Sequence, residues 1–181
     1  MKLPLWAAPP PDEAPPSAPP ALEEALLEEV FAYVSRRVWR REEAEDVAAE
    51  TIAAAYAHWH RFRDGDRRLW VLGIARRKTA DALRRQSKRR ETALSDALPS
   101  SDLPDHAERR EAATRLRAIV LGLPDDQREA LLLQHLEGLS IDEIATVMGR
   151  SPAAVNSLLQ RARARAYRDG RAYFLASEDQ P

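Results

Sequence analysis

The sequence predicts an all-α protein made of two small helical domains. Apolar residues recur at the spacing of one helix face along most of the chain, and no window shows the period-two alternation of a strand. Between Glu91 and Asp105 the text becomes ETALSDALPSSDLPD, rich in Ser, Asp and Pro, which reads as a flexible interdomain linker. A length of 181 residues, set against roughly 100 to 200 residues per domain, accommodates one domain or two small ones. The expected organisation is a disordered Pro-rich tail over 1–20, a first domain over 21–90, a linker over 91–107, a second domain over 108–175 and a short tail over 176–181.

Leu27, Phe31, Val34 and Val38 fall on one face of a helix expected from about Leu22 to Trp39. Glu42 to Glu45 then put acids on the positive dipole end of a second helix. Its stripe is expected to be Ala48, Ile52, Ala55, Trp59 and Phe62. RDGD at Arg63 to Asp66 makes a turn before a third helix from Arg67 to near Lys88. Past the linker, Leu116, Ile119, Val120 and Leu123 mark a helix that stops before Pro124. PDDQREALLLQHLEG opens the next with proline and acids and closes at Gly138. Ser140 and Glu143 have the spacing of a capping box, worth on the order of 1 kcal/mol. Gly149 ends that helix, and Ser151-Pro152 starts another as cap and first residue. Ala145 lets the second helix cross closely, with Val155, Leu159 and Ala162 inward. This is the pattern of a helix-turn-helix.

Composition narrows the function. Charged residues are 31% of the chain and no stretch approaches the roughly 18 apolar residues of a membrane span, so a soluble, cytoplasmic protein without membrane insertion is expected. The amino terminus, MKLPLWAAPPPDEAPPSAPP, is interrupted by proline before a signal-peptide core could form. There is no cysteine, hence no disulfide, thiolate zinc site or thiol switch. His58 and His60 are two apart and face different sides of a helix, against a metal pair. DGD at Asp64 to Asp66 lacks the ligand series of a calcium loop. No nucleophile, phosphate loop or cofactor fingerprint is present; neither an enzyme nor a cofactor is predicted.

The formal net charge of −1 conceals a segregation. Acids outnumber bases from Ala21 to Glu50, whereas Arg61 to Arg90 carries twelve arginines and lysines against three aspartates. Phe62, Trp70, Leu72, Ile74 and Leu83 are interleaved with those cations, so the segment can pack while its arginines face outward. In the helix-turn-helix, Ser151 caps a second helix whose outward positions are Ala153, Ala154, Asn156, Ser157, Gln160 and Arg161. They are short at the start and polar or cationic later, which suits entry of the amino end into a major groove. Arg163, Arg165 and Arg168 would then lie near phosphates. The plainer alternative is an αα-hairpin with solvated arginines.

Three motifs in order carry a family resemblance. AEDVAAETIAAAY (Ala44 to Tyr56), WVLGIARRKTADALRR (Trp70 to Arg85) and LPDDQREALLLQHLEGLSIDEIATVMGRSPAAVNSLLQRARAR (Leu123 to Arg165) resemble bacterial RNA polymerase sigma factors of the extracytoplasmic-function group. The resemblance implies a sigma factor that binds core RNA polymerase through its β′ clamp and β flap, and promoter DNA. It also implies that an anti-sigma partner often exists. By position in the motifs, Asp46, Val47, Glu50 and Thr51 would dock on the polymerase. Arg76, Arg77, Lys78, Arg84 and Arg85 would engage the minus-ten element where the duplex opens, with Trp70 read as core. The helix-turn-helix residues Ser151, Ala153, Ala154, Asn156, Ser157, Gln160, Arg161, Arg163 and Arg165 would recognise the minus-thirty-five element.

Arg77 departs from the family's usual asparagine, and Asn156 and Leu158 from lysine and arginine. Leu158 can join the inward stripe, removing a DNA contact and predicting an altered or weaker upstream interaction. The competing function is a stand-alone helix-turn-helix repressor or activator that binds duplex DNA without polymerase.

Overall fold

A computed structural model describes residues 22–38, 40–62, 64–92 and 107–178. The expected tail over 1–20, residues 93–106 of the linker and residues 179–181 lie outside the described residues. Seven α-helices and one 3-10 turn, and no strand, are found among the described residues. They are α1 (Glu24–Ser35), α2 (Arg41–Ala57), the 3-10 turn (Trp59–Arg61), α3 (Arg67–Thr92), α4 (Ala107–Leu121), α5 (Asp125–His135), α6 (Ile141–Met148) and α7 (Pro152–Glu178). The chain divides into two compact units, one built on α1 to α3 and the other on α4, α5, α7 and the start of α6.

In the first unit the three helices pack pairwise. The core of α1 is Leu26, Val30, Tyr33 and Val34, continued by Leu22 and Val38 on either side of the helix. Of the expected stripe Val34 and Val38 are buried, but in the first turns Leu26 and Val30 take the inward positions, and Leu27 and Phe31 are 38% and 37% exposed. LEEALLEEVF has apolar residues on two adjacent faces, and period alone does not say which turns inward. The α2 stripe is Ala44, Val47, Ala48, Thr51 and Ala55. It ends with the helix at Ala57, and Trp59 and Phe62 reach the core by another route. Trp59 stacks on Phe62 at 5.2 Å, and both rings approach Trp70, at 6.1 and 5.5 Å. Trp70 is 6% exposed and belongs to the core, as expected. The turn before α3 uses Gly65 at φ +105, a region L side chains rarely adopt. Asp66 then caps α3, its Oδ1 accepting from the Arg68 and Leu69 amides at 2.8 and 3.4 Å.

Thr79 on α3 is 2% exposed, and its hydroxyl has no hydrogen-bond partner among the described residues. Leaving a hydroxyl unpaired costs about 1 to 3 kcal/mol, whereas an apolar group of the same shape does not. Thr79→Val is expected to raise the first unit's stability by about 1 kcal/mol, read as a higher denaturation midpoint with an unchanged slope. A lower midpoint would mean that the hydroxyl is satisfied in solution.

In the second unit α7 packs on α5 and α4. Leu123, Ala130, Leu133, Leu139, Ile144, Ala145, Val155, Leu158, Leu159 and Ala162 are buried. Leu116, expected on an inward face of α4, is 62% exposed, while Leu123 just beyond the helix is 2% exposed.

Candidate nucleic-acid interface

The turn that aims α7 is held at three points. The Ser140 amide donates to Glu143 Oε2 at 2.7 Å and the Glu143 amide to Ser140 Oγ at 3.3 Å, the reciprocal bonds of a capping box. Gly149 sits at φ +64, where the chain leaves α6. The Ala154 amide donates to Ser151 Oγ at 3.2 Å, capping α7. Ser151 thus spends its hydroxyl on the helix start.

Along α7, Val155, Leu158, Leu159 and Ala162 are buried. Ala153, Asn156, Ser157, Gln160 and Arg161 are exposed, and Ala154 is intermediate. The Ser157 hydroxyl donates to the Ala153 carbonyl at 3.0 Å, leaving oxygen lone pairs to accept a further bond. Arg163 and Arg165 are exposed but engaged: Arg163 Nη2 donates to Gln134 Oε1 at 2.7 Å, and Arg165 lies 3.9 Å from Asp169.

On α3, Arg77, Asp81 and Arg84 recur at i, i+4 and i+7 and are all exposed. Arg84 Nη2 donates to Asp81 Oδ1 at 2.6 Å, and Arg85 Nε to the Asp81 carbonyl at 3.4 Å. Although the side chain is exposed, partial desolvation of the Arg77 guanidinium, with Arg76 beside it, pulls its pKa down, and Asp81 opposes the shift. Arg76 is half-buried. Lys78 turns toward α2, its Nζ donating to Glu50 Oε2 at 3.2 Å. The five cations expected at DNA are therefore not one surface: Arg77 and Arg84 share a face, and Lys78 is paired.

The four residues expected to dock polymerase also divide. Asp46 and Glu50 are exposed one turn apart on α2. Val47 is 3% exposed and Thr51 is fully buried, its hydroxyl donating to the Val47 carbonyl at 2.8 Å. Both lie in the core and offer no surface of their own. Leu27 and Phe31, expected inward, are exposed, and so is Tyr56 at 39%, whose hydroxyl accepts the Leu22 amide at 3.0 Å. The His58 and His60 rings are 6.2 Å apart, and no group of three His, Cys, Asp or Glu able to hold a metal occurs among the described residues. Burial is the main cause lowering the His58 pKa, and Arg61, His60, Arg77 and Lys78 add to it. No helix is long and apolar enough to cross a membrane among the described residues.

A capped, outward-facing helix start at α7 and an acidic helix packed beside a basic one are the parts of a DNA-binding transcription factor. Comparison with known proteins says which kind. The family models described as Sigma-70 region 2 and Sigma-70 region 4 match residues 22–89 and 113–165. The chain is 32% identical over 126 residues to the ECF RNA polymerase sigma factor SigM of Bacillus subtilis, an alignment covering 67% of this chain and 76% of that protein. It is 30% identical over 139 residues to the ECF RNA polymerase sigma factor BldN of Streptomyces coelicolor, covering 74% of this chain and 53% of that one. The fold resembles the sigma factor RpoE, solved in complex with the anti-sigma factor NepR from Bartonella quintana, with a TM-score of 0.60 at 20% identity over 81% of this chain and 92% of that chain. The chain belongs to the extracytoplasmic-function RNA polymerase sigma factors. Its function is therefore to direct promoter-specific transcription by RNA polymerase, and the stand-alone repressor is not favoured.

Proposed function

We propose that the two units divide the work of initiation. In this reading α2 docks on core polymerase through Asp46 and Glu50, and α3 holds the opened minus-ten element through Arg77 and Arg84. The start of α7 reads the minus-thirty-five element in the major groove. The chain contributes binding and positioning in the cytoplasm, and bond formation belongs to the polymerase. The observation that carries this is the capped start of α7, which exposes Ala153, Asn156, Ser157 and Gln160 while Val155, Leu158 and Leu159 hold the helix from behind. An anti-sigma partner fits the same reading, since the likeness to RpoE is to a sigma factor solved with one. In this reading the working domains span 21–90 and 108–175.

Reconstitution tests it: core RNA polymerase plus this chain should yield transcripts from promoters enriched out of a random library. No enrichment, together with tight binding to duplex DNA by the chain alone, would favour the repressor. Within an enriched promoter, Gln160→Ala is expected to relax preference at one or two adjacent base pairs, since a bidentate base contact discriminates by roughly 1 to 3 kcal/mol. An unchanged upstream consensus in a repeated selection would transfer specificity to the first unit.

A further inference from the structure

Helix α7 continues through Glu178, well beyond the family match, which ends at residue 165. Its second half has an inner and an outer side. Gly170 is buried, and a Cβ placed there would stand 3.6 Å from Ile119 Cδ1 on α4, so that side is packed. Away from it Arg168 and Arg171 are exposed with no acidic partner among the described residues, and Tyr167, 69% exposed, stands on the flank between Gly170 and Arg171.

The helical repeat relates these residues to the reading face. Ser157, Ala164, Arg168 and Arg171 follow at i, i+7, i+11 and i+14, all opposite the buried Val155, Leu159 and Ala162. Arg163 and Arg165 fall to either flank, where Gln134 and Asp169 engage them. The structure thus divides the three arginines that the sequence places near phosphates: Arg168 lies on the outward face and the other two do not. At 1.5 Å per residue, Arg168 and Arg171 are about 16 and 21 Å along the axis from Ser157. The major groove is about 12 Å wide, so groups at that distance pass its edge and meet backbone, not bases.

We propose that the second half of α7 is a phosphate rail: Tyr167, Arg168 and Arg171 grip the duplex backbone beyond the element that the first half of the helix reads. Arginine supplies a planar donor fork suited to phosphate, and the tyrosine hydroxyl can donate to a phosphate oxygen. The contact is sequence-independent and sets affinity and salt dependence. It rests on the reading that α7 lies on promoter DNA.

The test uses the full chain in holoenzyme, on a promoter enriched by that holoenzyme, with binding measured from 50 to 200 mM KCl. Each lost phosphate contact lowers the slope of log K against log salt by about 0.9, so R168Q/R171Q should lose about 1.8. Wild type then sheds roughly twelvefold more affinity than the variant across that range. R168K/R171K should keep the slope, and Tyr167→Phe should weaken binding with the slope unchanged. R163Q/R165Q should move the slope by less than half as much as R168Q/R171Q. An enriched promoter with an unaltered slope in a folded R168Q/R171Q variant, checked by circular dichroism, overturns the rail and leaves the sigma reading standing. If no promoter is enriched, both fall together.

Discussion

Glu50→Arg is expected to weaken association with core RNA polymerase about tenfold or more while leaving the helical content unchanged. Glu50 is exposed on α2, one turn from Asp46, and its carboxylate accepts from Lys78 at 3.2 Å. Arginine there removes that ion pair, sets two cations together and reverses the sign offered to the polymerase. The internal loss is small, because an exposed pair contributes roughly 0.2 to 1 kcal/mol. A like-charge contact at an interface costs several kcal/mol, and each 1.4 kcal/mol is tenfold in Kd. The double variant E50R/K78E separates the two effects by restoring a pair of opposite sign between α2 and α3 without restoring the acid that docks. Its stability should return to the wild-type value while its core affinity stays low. Equal core affinity in wild type and Glu50→Arg, measured by fluorescence anisotropy, would remove Glu50 from the interface.

Side-chain chemistry was more legible in the sequence than packing direction. The capping box at Ser140 and Glu143, the caps at Asp66 and Ser151 and the glycine at the end of α6 act through neighbours within three residues. All of these but the Asp66 cap stand out in the sequence, where Asp66 shows only as part of a turn. The order of the elements was legible for the same reason. Which face of α1 turns inward was not, because it depends on where α2 and α3 lie, and a segment with apolar residues on adjacent faces fits two registers. The cost was Leu27 and Phe31 assigned to the core in place of Leu26 and Val30. The same blindness placed Val47 and Thr51 on a docking surface: motif position identifies the helix, but burial separates Asp46 and Glu50 from their neighbours. Likewise five cations within ten residues of α3 read as one patch until Lys78 is seen to face Glu50. Leu158 went the other way, its place three residues after Val155 being enough to assign it inward.

That inward stripe supports the second large effect, a loss of upstream recognition with core binding retained. Leu159 on α7 is 1% exposed, and Val155, Ala162, Leu133 and Ile144 are fully buried within the same half of the chain. Leu159→Ala replaces a buried isobutyl group with methyl and leaves a cavity that helices pinned by a capping box and a tight turn fill only partly. Such substitutions cost about 2 to 5 kcal/mol. A small domain has only about 5 to 15 kcal/mol in total, so the second unit should become marginal, its melting temperature falling by about 10 °C or more. The first unit has its own core of Val30, Tyr33, Val34, Val71 and Leu72 and should melt as before. Differential scanning calorimetry should therefore resolve a displaced transition beside an undisplaced one. In holoenzyme the variant should bind core polymerase through α2 yet lose transcription from promoters that depend on the upstream element, most steeply as temperature rises. Leu158→Ala, at a site 8% exposed and nearer the rim, should do the same more weakly. A single transition carrying the whole chain downward would show that the two units fold as one, and the division of labour between them would have to be given up.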